Sequence, residues 1–285
     1  MSLFDDSLGH EESLFEKPGV LSITYLPRLL PYREDKQKQL AQRIKRIKSG
    51  GSNVLIHGAS GIGKSACVRY VLRELKEERE DIKPIYLNCW KNNTYYSVVK
   101  KVCKELGIKP GDKTKETLLD LALSKLNDYQ GAVLAFDEVD QAKDRSFLYQ
   151  FEEGLDYKTM FLVSTEKDWY AKADKRIRSR VSPELIEFQP YNREETRGIL
   201  KERKDNAFVK GVWSKKAFKK VVGKSYGARD IRLGLSLMKK AGQIAEEEAS
   251  RKIKLEHVDK ALESGVKKEI KEKEDKKEKS LGDFS

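Results

Sequence analysis

Residues 57–72, HGASGIGKSACVRYVL, decide how the rest of the chain is read. Gly58, Ala59, Ser60, Gly61, Ile62, Gly63, Lys64 and Ser65 match the pattern G-x-x-x-x-G-K-[ST]. The match lies between a short apolar run bounded by turn residues, SNVLIHG, and a stretch with helical spacing. Three glycines let the backbone curl so that its N–H groups face a phosphate chain, and the dipole of the helix that follows favours the anion. In such a loop the lysine, here Lys64, bridges the β- and γ-phosphates, and the hydroxyl of Ser65 binds Mg²⁺. The ligands this predicts are ATP or ADP with Mg²⁺.

Working outward, four further runs read as buried strands: DIKPIYLNC, GAVLAFDE, KTMFLVSTE and ELIEFQP. Helical stretches separate them, so the expected fold class is α/β with right-handed crossovers and a mostly parallel sheet. A helix is predicted from Glu34 to Lys48, with Leu40, Ile44 and Ile47 on one face and Gly50-Gly51 ending it. After Pro190 the pattern turns all-helical, which predicts a small separate lid domain. The expected organisation is an extended arm over 1–32, a nucleotide-binding core over 33–190, a helical lid over 191–265 and a charged tail over 266–285. Residues 267–279 hold seven lysines and five acids with one aliphatic residue, too little to bury an apolar face, so a disordered or single-helix tail is expected.

The second half of a phosphate-loop site is a strand ending in acid, and AVLAFDEVD supplies it. Asp137 is expected to hold Mg²⁺ through water, and Glu138 to orient and activate the attacking water. Asp140 reads as a cap for the following turn. Thr165, at the polar tip of MFLVSTE, is the candidate third group near the attacking water. In KRIRSRV, Arg180 is the candidate to reach a neighbouring subunit's γ-phosphate if copies assemble head to tail, with Arg178 in reserve.

The 285 residues carry a formal net charge of +12, with 36% charged and 38% hydrophobic side chains. A polyanionic partner such as nucleic acid accounts for that charge, and so does a solvated lysine-rich surface. No apolar run reaches the ~20 residues of a membrane span, and the acidic MSLFDDSLGHEE lacks the order of a secretory leader. Three cysteines without metal-ligand spacing read as reduced cytosolic thiols packed in a core, so a cytoplasmic protein is expected, nucleoid-associated if its polyanionic partner is DNA.

Four less common stretches point to a family: VLSITYLPRLLPYRED, LNCWKNNTYYSVVKKVCKELG, LIEFQPYNREETRGIL and AFVKGVWSKKAF. Together they resemble the archaeal-type replication initiators of the origin-recognition and cell-division-control class, AAA+ ATPases related to eukaryotic helicase-loading subunits. The similarity runs over residues 15–262. The resemblance implies that Pro31, Tyr32, Arg33 and Tyr191 flank adenine. It also implies that a lid arginine, Arg232 or alternatively Arg229, senses the γ-phosphate. Where the family has asparagine this chain has Thr165, and the lid is a few residues shorter around Gly223. The family's winged-helix DNA-binding domain does not follow; the sequence ends in the charged tail.

The function implied is a slowly hydrolysing ATP switch in origin binding or helicase loading. DNA contact is expected to be weak and mostly to the backbone, through KQKQLAQRIKRIK and SKKAFKKVVGKS. The other partners implied are a replicative helicase, other initiator subunits and nucleotide-dependent self-association, with no membrane. An adaptor that recruits a protein partner with little DNA binding of its own is the alternative.

Overall fold

A computed structural model describes residues 13–166 and 168–265. The expected tail from residue 266, and the arm before residue 13, lie outside them. The chain divides into two compact units: Arg28–Pro190 forms one, and the stretches up to Pro27 and from Tyr191 form the other.

The first unit is built on a five-stranded sheet. Its strands are β1 (Val54–His57), β2 (Ile82–Asn88), β3 (Gly131–Asp137), β4 (Lys158–Ser164) and β5 (Glu184–Glu187), in the order β2-β3-β4-β1-β5 and parallel throughout. All five runs read as strands from the sequence are here. Every residue of β3 is buried, because its two faces pack against different helices. Ala132, Leu134 and Phe136 face one cluster, with Val102, Leu118 and Phe151; Val133 and Ala135 face the other, with Leu40, Val68 and Leu72. That is the period-two alternation of a strand covered on both sides.

The helices of this unit are α1 (Glu34–Lys45), α2 (Lys64–Glu78), α3 (Tyr95–Glu105), α4 (Lys115–Asn127), α5 (Ser146–Gly154) and α6 (Lys175–Val181). The helix predicted to run to Lys48 gives way to a tighter 3-10 turn at Ile47–Ser49, and Gly50, at φ 101°, ends it. Leu40, Ile44 and Ile47 are buried as expected. Thr94 and Ser97 form a reciprocal capping box at the start of α3, which satisfies two amides that would otherwise lack acceptors. Cys67, Cys89 and Cys103 are buried free thiols, and burial pushes Cys67 and Cys89 up to about 12.

The second unit is helical: α7 (Arg193–Ala207), α8 (Lys215–Ala228), α9 (Ile231–Glu247) and α10 (residues 255–265). Side chains of Asn192, Ser214 and Asp230 cap the first three. Residues 13–27 belong to this unit. Leu14, Val20 and Leu21 join Leu200, Val221, Met238 and Val258 in its core, and Phe15 stacks on Phe208 with centroids 4.6 Å apart. A 3-10 turn, Pro18–Leu21, interrupts the extended course of this stretch. Buried Arg203 donates to the carbonyl of Val20 at 3.2 Å and lies over the Tyr25 ring. No helix among the described residues is long and apolar enough to cross a membrane.

Candidate functional site

Because the strands are parallel, every β-to-α turn at their carboxyl ends falls on one edge of the sheet, where open α/β sheets bind ligands. The turn after β1 is the glycine loop. Gly58, Gly61 and Gly63 have φ of 149°, 77° and 89°, a range that L side chains rarely adopt. A Cβ at Gly58 would lie 2.5 Å from the Phe188 carbonyl oxygen and 2.8 Å from Ile62 Cδ1. Gly63 sits at the N-cap of α2 with no side-chain cap. The amides of Gly61, Ile62 and Gly63 donate to no acceptor among the described residues. Lys64 is buried, and its Nζ donates to the carbonyls of Gly58 and Ala59 at 2.6 and 2.7 Å. Ile62 is buried beneath the loop, Ser65 is half-buried on the first turn of α2, and Ala59 and Ser60 are exposed.

Arg33 fastens this loop from below. Its Nε and Nη2 donate to the Ile62 carbonyl at 3.3 and 2.8 Å, Nη2 also to Gln189 at 2.8 Å, and Nη1 to Tyr32 at 3.2 Å. The guanidinium is buried over the Phe188 ring, 5.4 Å from its centroid. It thereby joins the end of the arm, the loop and the segment leaving β5. Pro31 is half-buried beside it, and Tyr32 is exposed with a left-handed φ of 65°.

The acid tip of β3 is equally constrained. Asp137 is buried; Tyr86 Oη donates to its Oδ2, and the Glu138 amide donates to Oδ1 at 3.1 Å. Burial first, and Asp137 second, push the Tyr86 phenol far above its ordinary value, so it stays a donor. The Arg69 guanidinium of α2 lies over the Tyr86 ring at 5.9 Å. Glu138 holds a left-handed φ of 53°, and Asn88 Nδ2 donates to its Oε2 at 3.0 Å. Sequence reasoning gave Tyr86 and Asn88 no role. Period-two alternation puts both on one face of β2, but only the ladder, which sets Asn88 directly opposite Asp137, brings them to the acid tip.

Thr165 follows the last residue of β4 and is exposed. The buried polar tip of the strand is Ser164, whose Oγ exchanges hydrogen bonds with the amide and carbonyl of Glu166. Asp140 does not cap the turn after β3: its Oδ2 accepts from the side chain of Gln141 within that turn. Arg180 lies on α6 with its side chain 60% exposed, 3.5 Å from Glu153 of α5. Such an exposed pair holds little energy. Arg178 is exposed on the same helix.

Tyr191 and the lid arginines belong to the helical unit. Tyr191 is buried, just before α7. Arg232, in the first turn of α9, grips the N-cap Asp230 through Nε and Nη2, at 3.1 and 2.7 Å. Burial raises the Asp230 carboxyl, but the hydrogen bonds from Arg232 outweigh it and hold the group below its ordinary value. Arg229 ends α8 with a left-handed φ of 53° and is exposed.

These residues fit a nucleoside triphosphate with one divalent cation. The loop and the first turn of α2 offer amide donors, an ammonium and a hydroxyl, and the tip of β3 offers two carboxylates. No cluster of three or more His, Cys, Asp or Glu able to hold a metal alone occurs among the described residues. A cation here would need Ser65, Asp137 and the ligand's own phosphates.

A parallel sheet in this strand order, a glycine loop before α2, an acid-tipped β3 and a separate helical unit define a phosphate-loop ATPase of the AAA+ class. Comparison with known proteins agrees. A model of the AAA domain matches residues 46–162, and one of the Cdc6 AAA+ ATPase-type lid domain matches residues 197–263. ORC1-type DNA replication protein 1 of Archaeoglobus fulgidus is 30% identical over 92% of this chain and 68% of its own. The protein of the same name from Sulfurisphaera tokodaii is 29% identical over 87% and 66%. The Aeropyrum pernix ORC1 protein, solved in complex with DNA, superposes with a TM-score of 0.78 at 26% identity, over 88% of this chain and 69% of that one. The chain belongs to the family of ORC1-type DNA replication proteins, and it spans about two thirds of the length of these relatives.

Proposed function

We propose that this chain is a nucleotide switch of the replication-initiator class: it binds ATP with Mg²⁺, hydrolyses it slowly, and acts in origin binding or helicase loading. The observation that carries this reading is the phosphate loop and the Asp137–Glu138 tip on one edge of one sheet, in a chain of the initiator family. The loop amides and Lys64 take the phosphates, and Ser65 and Asp137 take the cation. When bound, the cation neutralises phosphate charge. Glu138 orients and deprotonates the attacking water, and Asn88 fixes the direction of its carboxylate. Thr165, and Arg180 from a neighbouring copy, complete the shell around the γ-phosphate; Arg178 is the alternative to Arg180. Pro31, Tyr32, Arg33 and Tyr191 surround the base, with Arg33 acting through the loop backbone it holds. Arg232, or else Arg229, reports the γ-phosphate to the lid. Partners are DNA, held mainly by its backbone, and other initiator or helicase subunits.

The test separates binding from turnover. Glu138→Gln is expected to keep ATP affinity and to lower turnover by about 10²-fold or more, the worth of a general base. Lys64→Ala is expected to lose ATP binding. Anisotropy of a labelled duplex with no nucleotide, with ADP, and with ATP on Glu138→Gln then reads the switch. Duplex affinity that ignores the nucleotide in all three states would overturn it.

A further inference from the structure

Within the helical unit, a groove of about 570 Å³ runs between α7 and α8. Its floor is aromatic. Trp213 and Phe218 are half-buried in it and meet edge to face, 6.4 Å between centroids. Its rims are cationic, with Arg193 and Arg197 one helical turn apart on α7 and Lys215 and Lys219 one turn apart on α8. All four are exposed, and none makes an ion pair or hydrogen bond with another described residue. Lys201 and Lys204, further along α7, are instead engaged by Asp205, each at 2.8 Å. Glu194 is the one acid on the lining. Trp213 Nε1 is buried and has no acceptor among the described residues.

We propose that this groove is a docking channel for single-stranded nucleic acid, a proposal that rests on the reading of the chain as a nucleic-acid-binding protein. Four uncompensated cations in two rows, each repeating at one turn, match an anion that repeats along its length. Lys204 Nζ lies over the Phe218 ring, 5.1 Å from its centroid, which leaves half-buried Trp213 as the ring on which a strand with open base faces would stack. A duplex keeps those faces covered and would leave the floor unused. Neither the phosphate loop nor the strand tips take part, so occupancy of the groove does not require nucleotide.

The experiment uses the full chain and a short fluorescein-labelled oligodeoxythymidylate, followed by anisotropy across a salt series. Four phosphate contacts predict a slope of log K against log salt of about −2.8, at roughly −0.7 per contact on a single strand. The Arg197→Glu/Lys219→Glu variant, with a wild-type melting curve, is expected to bind about tenfold or more weakly, with the slope near half, about −1.4. Intrinsic fluorescence should be quenched by the oligonucleotide in the wild type and much less so in Trp213→Phe. An oligoribonucleotide is expected to behave alike.

Unchanged binding and slope in the double variant would overturn the proposal, as would a duplex that competes as well as the single strand. A polyglutamate peptide that binds equally tightly and quenches Trp213 would overturn it in favour of an acidic protein segment. Lys64→Ala separates the two readings. If the double variant binds the oligonucleotide normally while Lys64→Ala still abolishes nucleotide binding and switching, the groove assignment fails and the switch stands.

Discussion

At Asp137 the carboxylate is aimed by the protein's own hydrogen-bond donors. Tyr86 holds one oxygen and the Glu138 amide the other, while the Cys89 amide donates to the Asp137 carbonyl at 2.7 Å. A hydrogen bond to a charged group contributes about 1.5–3 kcal/mol. Tyr86→Phe keeps the ring, and with it the packing under Arg69, and removes only the hydroxyl. It is expected to lower Mg²⁺-dependent ATP turnover about tenfold and the melting temperature of the sheet unit by about 3–10 °C. Steady-state kinetics over a Mg²⁺ series would check this, the loss being largest at low Mg²⁺. The pair DE was plain in the sequence as the acid tip of a strand. Its two polar supports were not, because they come from β2, some fifty residues earlier in the chain, and only sheet pairing sets them opposite.

Elements were the most legible scale. Strands of four to seven residues with apolar centres, bounded by turns, and capping signals such as Asn192-x-x-Glu195 depend on neighbours within one turn or one pleat. The loop after β1 shows where local reading stops. Its glycines were visible as a motif, yet the reason Gly58 tolerates no side chain lies in Phe188, far away in sequence beyond β5. Gly58→Ala would place a methyl against that backbone carbonyl and force the loop to shift. The expected outcome is a fall in affinity for a fluorescent ATP analogue of about tenfold or more, with about 1–3 kcal/mol of strain lowering the stability of the sheet unit. Titration with the analogue alongside a denaturant curve would show both. Affinity left at the wild-type level would mean that the loop relaxes freely.

At the scale of the whole molecule, the helical unit is not continuous in sequence. Residues 13–27 are built into it, with Leu14 buried among α7 and α9 side chains and Ser13 Oγ donating to Glu246 at 2.7 Å. Gly242 makes room for this stretch: a Cβ there would lie 2.4 Å from the Phe15 ring. Leu14→Ala is therefore expected to cost the helical unit about 2–5 kcal/mol, as other buried leucines do. The fluorescence of Trp213, the tryptophan of this unit, would report the loss in a denaturant curve, while the sheet unit should unfold at its usual midpoint. A change confined to the sheet unit would contradict the assignment.

The sequence by itself determined the α/β class, the five strands, the helical stretch after Pro190 and the phosphate loop with its acidic partner. Each of these is written in short-range periodicity or in the spacing of a short motif. Only the tertiary structure decided that Arg33 holds the loop by the Ile62 carbonyl, that Tyr86 and Asn88 aim the two carboxylates, that the N-terminal stretch completes the helical unit, and that α7 and α8 enclose a cationic, aromatic groove. Those features join residues far apart along the chain. Which distant groups meet is fixed by strand order and helix packing, and local preference carries no record of it.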